Sequence, residues 1–311
     1  DDAIVIISSQ SPVGLCSKLR KILQKNNPTL ELAYSPENLR LGEAIKCYLE
    51  PERIILGTSN QKTEKKCLEL FSQISYDSRA TILCMNLESA EMVKHGINSF
   101  LATSIVFSNH LADICSENNA NVDDVIKGMK SDPRIGKKAY LSPGIGFSGG
   151  TLGRDLKVLK SKNKNGYAKL FGQIHKYNSE RKYSIIEKLE KQFGNLKNKK
   201  IGILGVTYKP GTSTLRRSLP LEIIEIMIQK GADIKVYDPK ADYSELKIKP
   251  KFEIANDINS ACYNCDFTVL LTEWSEFKTF DWSKIKQNIN IFDTKNFLNL
   301  KNSEKIKYYS I

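Results

Sequence analysis

The 311-residue sequence predicts an α/β fold, with an α/β section at each end and a long helical section between them. Three observations lead there. Short β-branched runs alternate with helical stretches over residues 1–85; apolar residues recur at close to helical spacing from Leu87 to Cys115; and four more strand-like runs follow residue 195.

In the first section Ala3–Ser8, Leu30–Ala33 and Arg53–Gly57 read as strands, with Leu15–Lys25 and Thr63–Phe71 as helices. A doubly wound dinucleotide domain opens with a strand, a G-x-G-x-x-G turn and an acidic residue about 20 positions later. After the opening strand, no such glycine turn with its acidic partner stands in this section. In the second section Ala90, Val93, Ile97, Leu101, Ile105 and Ile114 lie on one helix of about seven turns, or on two in series. Its apolar surface extends to more than one side, which predicts a partner. A second helical segment is expected over Asp155–Phe193. In the third section Lys200–Gly205, Asp233–Tyr237, Phe267–Leu271 and Asn290–Phe292 read as strands, with Leu219–Lys230 a helix that Gly231 ends. That pattern predicts an open parallel sheet flanked by helices.

Composition narrows the function classes. No run of about 18 apolar residues is present to span a bilayer, so no membrane association is expected. The start, Asp1-Asp2-Ala3-Ile4-Val5, lacks the basic stretch and small-residue cleavage site of a secretory signal, and a cytoplasmic location is expected. The net charge of +12 suits an anionic ligand. Its lysines are dispersed, however, in short runs such as Lys160-Ser161-Lys162-Asn163-Lys164, and nucleic acid is not the expected partner because it requires a contiguous basic stripe with stacking aromatics. Seven scattered cysteines do not form a disulfide framework. Cys262 and Cys265 have C-x-x-C spacing without a second pair, and the histidines His95, His110 and His175 are far apart, so no metal is expected.

The loop Gly144-Ile145-Gly146-Phe147-Ser148-Gly149-Gly150 places four glycines in seven residues. Such a loop lets backbone amides approach a ligand where a side chain would clash, or else makes a tight connection between helical layers. Continued through Thr151-Leu152-Gly153-Arg154-Asp155, the run resembles the G-x-G-F-G-G-S-C-F-x-K-D signature of the UDP-glucose/GDP-mannose dehydrogenase family. Asp132-Pro133-Arg134-Ile135-Gly136 and Tyr140-Leu141 match the same family upstream. So do Ala90-Glu91-Met92-Val93-Lys94-His95-Gly96-Ile97-Asn98-Ser99-Phe100-Leu101-Ala102, which resembles its E-x-x-K-x-x-x-N-x-F-L-A helix, and Ser35–Ile45, which resembles P-E-x-L-x-x-G-x-A. In the third section Gly205–Ser218 resembles G-x-x-[FY]-K-x-x-T-x-D-x-R-E-S, and Tyr237-Asp238-Pro239 and Asp293-Thr294-Lys295-Asn296 also correspond.

The resemblance implies three parts. Residues 1–85 would be the C-terminal part of an NAD-binding Rossmann-like domain, 86–195 a central helical domain with the dimer interface and active-site loop, and 196–311 a Rossmann-like UDP-binding domain. It implies NAD or NADP as cofactor, a UDP-sugar as substrate and a homodimer through the central helix. Lys94 would stabilise an oxyanion beside Asn98, Asp155 would assist proton removal, and Glu37 would activate or orient a water. Tyr140, Leu141, Gly144, Gly146, Phe147, Gly149, Lys209 and Lys295 would contact the nucleotide sugar, and Arg216 and Arg154 the cofactor.

The chain departs from the family at telling places. Thr151 occupies the position of the cysteine that holds the half-oxidised sugar; Ser148, Gly150 and Gly153 change the loop; Thr214 and Arg217 replace acidic residues. Threonine is a far weaker nucleophile than a thiol without a dedicated base. Three readings stay open: an NAD-dependent UDP-glucose 6-dehydrogenase-like enzyme limited to one oxidation or working without covalent capture, a nucleotide-sugar binder that has lost oxidation, and a structural or dimerisation module.

Overall fold

The computed structural model describes residues 3–37, 39, 43–162 and 169–311, apart from the side chains of 76–78 and 162. The chain divides into two compact units, Asp1–Ser99 and Phe100–Ile311. The basic run that starts at Lys160 continues outside the described residues.

The first unit contains β1 (Ile4–Ile7), α1 (Leu15–Asn26), β2 (Glu31–Tyr34), α2 (Ala44–Leu49), β3 (Arg53–Thr58), α3 (Gln61–Ser78), β4 (Thr81–Asn86) and the start of α4 (Leu87–Glu117). Its strands lie in the order β1-β2-β3-β4. β1 and β2 are parallel, as are β3 and β4, whereas β2 meets β3 antiparallel through the pair Tyr34 and Gly57. Strand β4 escapes a reading of the sequence because its residues do not alternate in burial and it runs without a break into α4. Gly57 is required by that junction: a Cβ there would come within 2.7 Å of the Ala90 Cβ and 3.3 Å of the Leu87 Cα. The long apolar pattern resolves as one continuous helix of 31 residues rather than two in series.

Helix α1 starts without a cap of its own. Gly14 precedes it at φ 86° and offers no side chain. The cap comes instead from α4, where the fully buried Glu91 accepts from the Gly14 N–H at 2.5 Å and the Cys16 N–H at 2.8 Å. Glu88, one turn before, accepts from the Ser17 hydroxyl at 2.5 Å. A carboxylate on the positive end of a helix, with two N–H donors, is stable where a lone buried charge is not. The Cys16 thiol beside it is pushed up to about 12, by burial first and by Glu91 second, and stays protonated.

The second unit holds the rest of α4, then α5 (Val122–Ser131), α6 (Thr151–Lys162), α7 (Lys169–Phe193) and a six-stranded sheet. Helix α5, unmarked in the sequence reading, is announced by Asn121, whose side chain accepts from the Asp123 and Asp124 N–H groups. The expected helical segment over Asp155–Phe193 is two helices, α6 and α7. The sheet comprises β5 (Lys200–Leu204), β6 (Asp233–Tyr237), β7 (Glu253–Ile254), β8 (Phe267–Leu270), β9 (Ile289–Asp293) and β10 (Ile306–Ser310), with α8 (Leu219–Gln229), α9 (Ile258–Cys262) and α10 (Ser275–Thr279) between them. Every strand pair is parallel and the order is β10-β9-β8-β5-β6-β7, the arrangement of a doubly wound sheet. Gly231, at φ 87°, ends α8 as the sequence predicts.

Helix α7 belongs to the core of this sheet. Ile185, Ile186 and Leu189 are buried in one cluster with Ile201, Ile203, Ile223 and Phe267, and Phe193 stacks on Phe267 with ring centroids 4.1 Å apart. The expected parallel sheet is thus present, with two further strands, the two-residue β7 and the five-residue β10, added at its edges.

Replacing Glu91 with alanine leaves two N–H groups without their acceptor, at a cost of about 1–3 kcal/mol. The expected result is a lower urea midpoint for the first unit and faster amide exchange at Gly14–Cys16. An unchanged midpoint and unchanged exchange would show that Glu91 does not cap α1.

Candidate active site

In the first unit, Lys94 and Asn98 lie one turn apart on α4. Asn98 is buried at 7% exposure and Lys94 is half-buried, so this is not the solvated helix face that such a spacing ordinarily marks. The turn between them is anchored by His95, also buried, whose Nε2 lies 3.0 Å from the Ser11 carbonyl oxygen. Because a carbonyl only accepts, that nitrogen carries the proton. Glu37 is exposed just beyond β2, its N–H donating to the Ser8 carbonyl at 2.9 Å. Of the rest of its motif, Asn38 and Arg40–Gly42 lie outside the described residues.

The glycine-rich loop is in the second unit, and its backbone is held by side chains from two helices. Asn109 of α4 accepts from the Gly144 N–H at 2.7 Å. Arg181 of α7 donates through Nε to the Gly144 carbonyl at 2.9 Å. Asn178, one turn earlier, accepts from the Phe147 N–H at 2.8 Å and donates to its carbonyl at 2.9 Å, completing a two-way amide bridge. Asn109, Asn178 and Arg181 are all buried. A buried polar side chain that satisfies a buried backbone group stabilises by about 0.5–1.5 kcal/mol net, and costs more when its partner is left unmade.

The glycines meet side chains rather than open space. A Cβ at Gly146, where φ is 108°, would come within 2.7 Å of the Asn178 Oδ1; one at Gly149, where φ is 80°, within 3.2 Å of the Tyr208 ring. Gly144 packs on the stem of Lys295, whose Cε lies 3.0 Å from where a Cβ would sit. The loop therefore makes the tight structural connection that its composition allows.

At the head of α6, Thr151 is exposed and Asp155, one turn on, is fully buried. The Nε of Arg154 lies 3.6 Å from an Asp155 oxygen, so its charge is shared with that carboxylate. The sequence places no histidine in the loop, yet the fold brings one near. Seen from Gly153, the His175 ring is 3.6 Å from the Cβ position. Its pKa is held below the ordinary histidine value, by burial first and then by Lys157 and Lys160, so the neutral imidazole is favoured.

The expected ligands of the third section gather beyond the carboxyl ends of the parallel strands. Lys209 lies with its Nζ 5.9 Å from the centre of the Tyr208 ring. Lys295 pairs with Glu273 at 2.6 Å. Arg216 is exposed and its N–H donates to Glu245 at 3.1 Å; the same Glu245 oxygen accepts from the Thr214 hydroxyl at 2.7 Å and the Leu215 N–H at 2.8 Å. Thr214, an alcohol where the family has an acid, is thus a donor that the turn uses. Asp238 organises the base of the crevice. Its Oδ2 accepts from the Val206 and Thr207 N–H groups at 2.7 and 2.9 Å and from the Trp274 indole at 3.1 Å. Tyr140 is exposed and Leu141 half-buried ahead of the loop.

A cavity of about 110 Å³ between α4 and α7 is lined by Val106, Asn109, His110, Asp113, Tyr177 and Arg181 among others, and is too small for a nucleotide sugar. Arg181 donates to Asp113 at 2.5 Å and Lys188 lies 3.1 Å from it. Although burial pushes the Asp113 carboxyl up, those two cations hold it below the usual carboxylate range.

Among the described residues, no group of three or more histidine, cysteine or acidic side chains is placed to hold a metal. No described helix is long and apolar enough to cross a membrane. For a dinucleotide, the N-terminus of α1 is not a seat for a pyrophosphate, since Glu91 occupies its first N–H groups. The exposed guanidinium of Arg216, which pairs with no carboxylate among the described residues, does suit that charge.

Residues 1–75, 88–180 and 202–300 match, in order, the NAD binding, central and UDP binding domains of the UDP-glucose/GDP-mannose dehydrogenase family. The UDP-glucose 6-dehydrogenase of Rickettsia bellii is 32% identical over the whole chain, which spans 73% of that protein. The chain belongs to the UDP-glucose/GDP-mannose dehydrogenase family. UDP-glucose 6-dehydrogenase TuaD of Bacillus subtilis is likewise 32% identical, over 98% of the chain and 67% of its own length. Of solved structures, a UDP-glucose dehydrogenase from Pyrobaculum islandicum superposes with a TM-score of 0.86 at 22% identity, covering 99% of this chain and 70% of that one. At that identity the likeness speaks for the family's fold alone.

Asn109, Asn178 and Arg181 went unnoticed in the sequence, although α7 carries a signal. Ile174, Asn178, Arg181, Ile185 and Leu189 follow one another at helical spacing, so two polar residues stand in phase with a buried apolar stripe. Asn178→Ala removes both bonds to Phe147 and is expected to destabilise by about 1–3 kcal/mol. Amide exchange at Phe147 would rise with it. Thermal unfolding and exchange identical to the parent protein would show that the loop is held elsewhere.

Proposed function

We propose that the protein is an NAD-dependent nucleotide-sugar dehydrogenase of the UDP-glucose 6-dehydrogenase type that oxidises the sugar's primary alcohol without covalent capture. The observation that carries this reading is the exposed Thr151 at the head of α6, in a chain where Glu37, Lys94, Asn98 and Asp155 all match the family's motifs. NAD, when bound, accepts the hydride lost from the carbinol carbon. The chain supplies the rest. Lys94 offers an ammonium, and Asn98 an amide, to the oxygen as negative charge develops on it. Asp155 takes up the proton that leaves the hydroxyl. Lys209, Lys295, Tyr140, Leu141 and the loop residues Gly144, Gly146, Phe147 and Gly149 hold the nucleotide sugar, and Arg216 with Arg154 the cofactor's phosphates.

The product of that step is an aldehyde. A thiol would trap it, since a few per cent of thiol is thiolate near neutrality, but the Thr151 hydroxyl has no comparable anionic fraction. The reaction therefore ends at the aldehyde, or continues through its hydrate, which Glu37 is suited to orient or deprotonate. The functional division follows residues 1–85, 86–195 and 196–311. All seven cysteines stand as free thiols, which supports a cytoplasmic location.

The decisive measurement is NADH formed per UDP-glucose consumed, on the chain together with any residues that precede it in the native protein. One equivalent is expected for a single oxidation and two if the hydrate is oxidised. No NADH at saturating UDP-glucose and NAD would overturn the reading in favour of a nucleotide-sugar binder.

A homodimer through α4 belongs to the same proposal. Phe100, Phe107 and Ile114 are exposed at 69%, 48% and 56% and recur every seventh residue, forming one apolar stripe along the helix. A stripe of that spacing suits packing against a second helix. Light scattering is expected to give the mass of two chains, and Phe107→Glu the mass of one; a monomeric parent protein would refute it.

A further inference from the structure

The departures of this chain from the family's loop motif meet at one point. The Ser148 hydroxyl accepts from the Leu219 N–H at 2.9 Å, a bond that glycine is unable to make. The next residue, Gly149, donates its N–H to the Arg217 carbonyl at 3.0 Å. At Gly150 a Cβ would sit inside contact distance of the Arg217 Nη1, with Cζ of the same side chain at 3.4 Å and Cδ at 3.6 Å. The guanidinium thus lies across Gly150, and a residue with a side chain at 150 would displace it. Arg217 itself has φ 55°, a left-handed conformation that costs a non-glycine residue about 1–2 kcal/mol. Around it the start of α8 is fixed: the Ser218 hydroxyl donates to the Val206 carbonyl at 2.6 Å and accepts from the Leu221 N–H at 3.3 Å. The loop and the start of α8 are therefore joined residue by residue, 148 to 219, 149 to 217 and 150 to 217.

We propose that Arg217 is a positioning residue whose side chain clamps the loop carrying Thr151 onto the start of α8, and that Gly150 is glycine in order to admit it. The Asn178 and Asn109 bonds hold the first half of the loop. Its second half, closest to Thr151, is held by the Ser148 and Gly149 bonds to the start of α8, by the Tyr208 ring against Gly149 and, at Gly150, by the Arg217 side chain. Substrate enters the argument only through the proposed function; the clamp itself does not depend on it. If the loop forms part of the nucleotide-sugar site, releasing it lowers the fraction of molecules competent to bind and leaves the chemical step alone.

The test is a double-mutant cycle on the full chain with Arg217→Ala, Gly150→Ala and the pair. Arg217→Ala leaves the carbonyl bond to Gly149 in place, so any change reports the side chain. Gly150→Ala pushes aside the end of a flexible arginine rather than backbone, so the protein stays folded. Exchange of the amides of residues 149–152 is expected to rise about tenfold in each single variant and no further in the pair. The KM for UDP-glucose is expected to rise about three- to tenfold with kcat within a factor of two. Parent-like exchange in Arg217→Ala, or effects that multiply in the pair, would overturn the clamp. If the parent protein turns over no UDP-glucose, the proposed function fails while exchange still decides the clamp.

Discussion

The site rests on the fixing of a glycine-rich backbone by buried side chains from helices α4 and α7. Glycine gives a loop freedom at an entropic cost, and a loop with four glycines in seven residues has no single conformation of its own. Here its shape is imposed. The Asn178 amide reads both the N–H and the carbonyl of Phe147, Arg181 and Asn109 take the two polar groups of Gly144, and the absence of Cβ atoms at 144, 146 and 149 lets Lys295, Asn178 and Tyr208 close in. Thr151 is positioned by a rigid frame although the segment before it is the most permissive in the chain.

Electrostatics follows the same rule of mutual support. Buried charges in both units are matched rather than isolated: Glu91 by the first N–H groups of α1, Arg181 by the half-buried Asp113, Asp238 by backbone N–H groups and an indole. Charges left to act on a ligand are those at the rim. Of these, Lys295 and Arg154 already touch carboxylates, whereas Arg216 pairs with none among the described residues, so of the three it gives up least when an anion arrives.

Much of the fold was legible because its elements are strongly periodic. The strand at Asp233–Tyr237 matches residue for residue, and the strands at 200, 267 and 289 shift by one residue at most at either end. The misses have physical causes. β4 lacks alternation because neither face is uniformly covered, and β7 is two residues long; α5 does carry a stripe, Val122, Val125, Ile126 and Met129 behind the Asn121 cap, and was legible in principle. At the site, motif residues were legible by type and order. What holds them was not, because Asn109, Asn178, Arg181 and Arg217 are distant in sequence from the loop, and a polar residue inside an apolar stripe declares itself only when the stripe is drawn first.

The shared core of α7 and the parallel sheet sets where this protein can be cut. A fragment beginning at residue 196 would carry the complete sheet, yet it would leave Ile201, Ile203, Ile223 and Phe267 without the cover of Ile185, Ile186, Leu189 and Phe193. Such a fragment would offer a bare apolar face to water and associate with itself. A piece that keeps the sheet covered has to retain α7, the helix that begins at Lys169. Because the same helix carries Asn178 and Arg181, a domain excised for nucleotide-binding work takes with it the side chains that fix Gly144 and Phe147, and the loop left behind loses its shape.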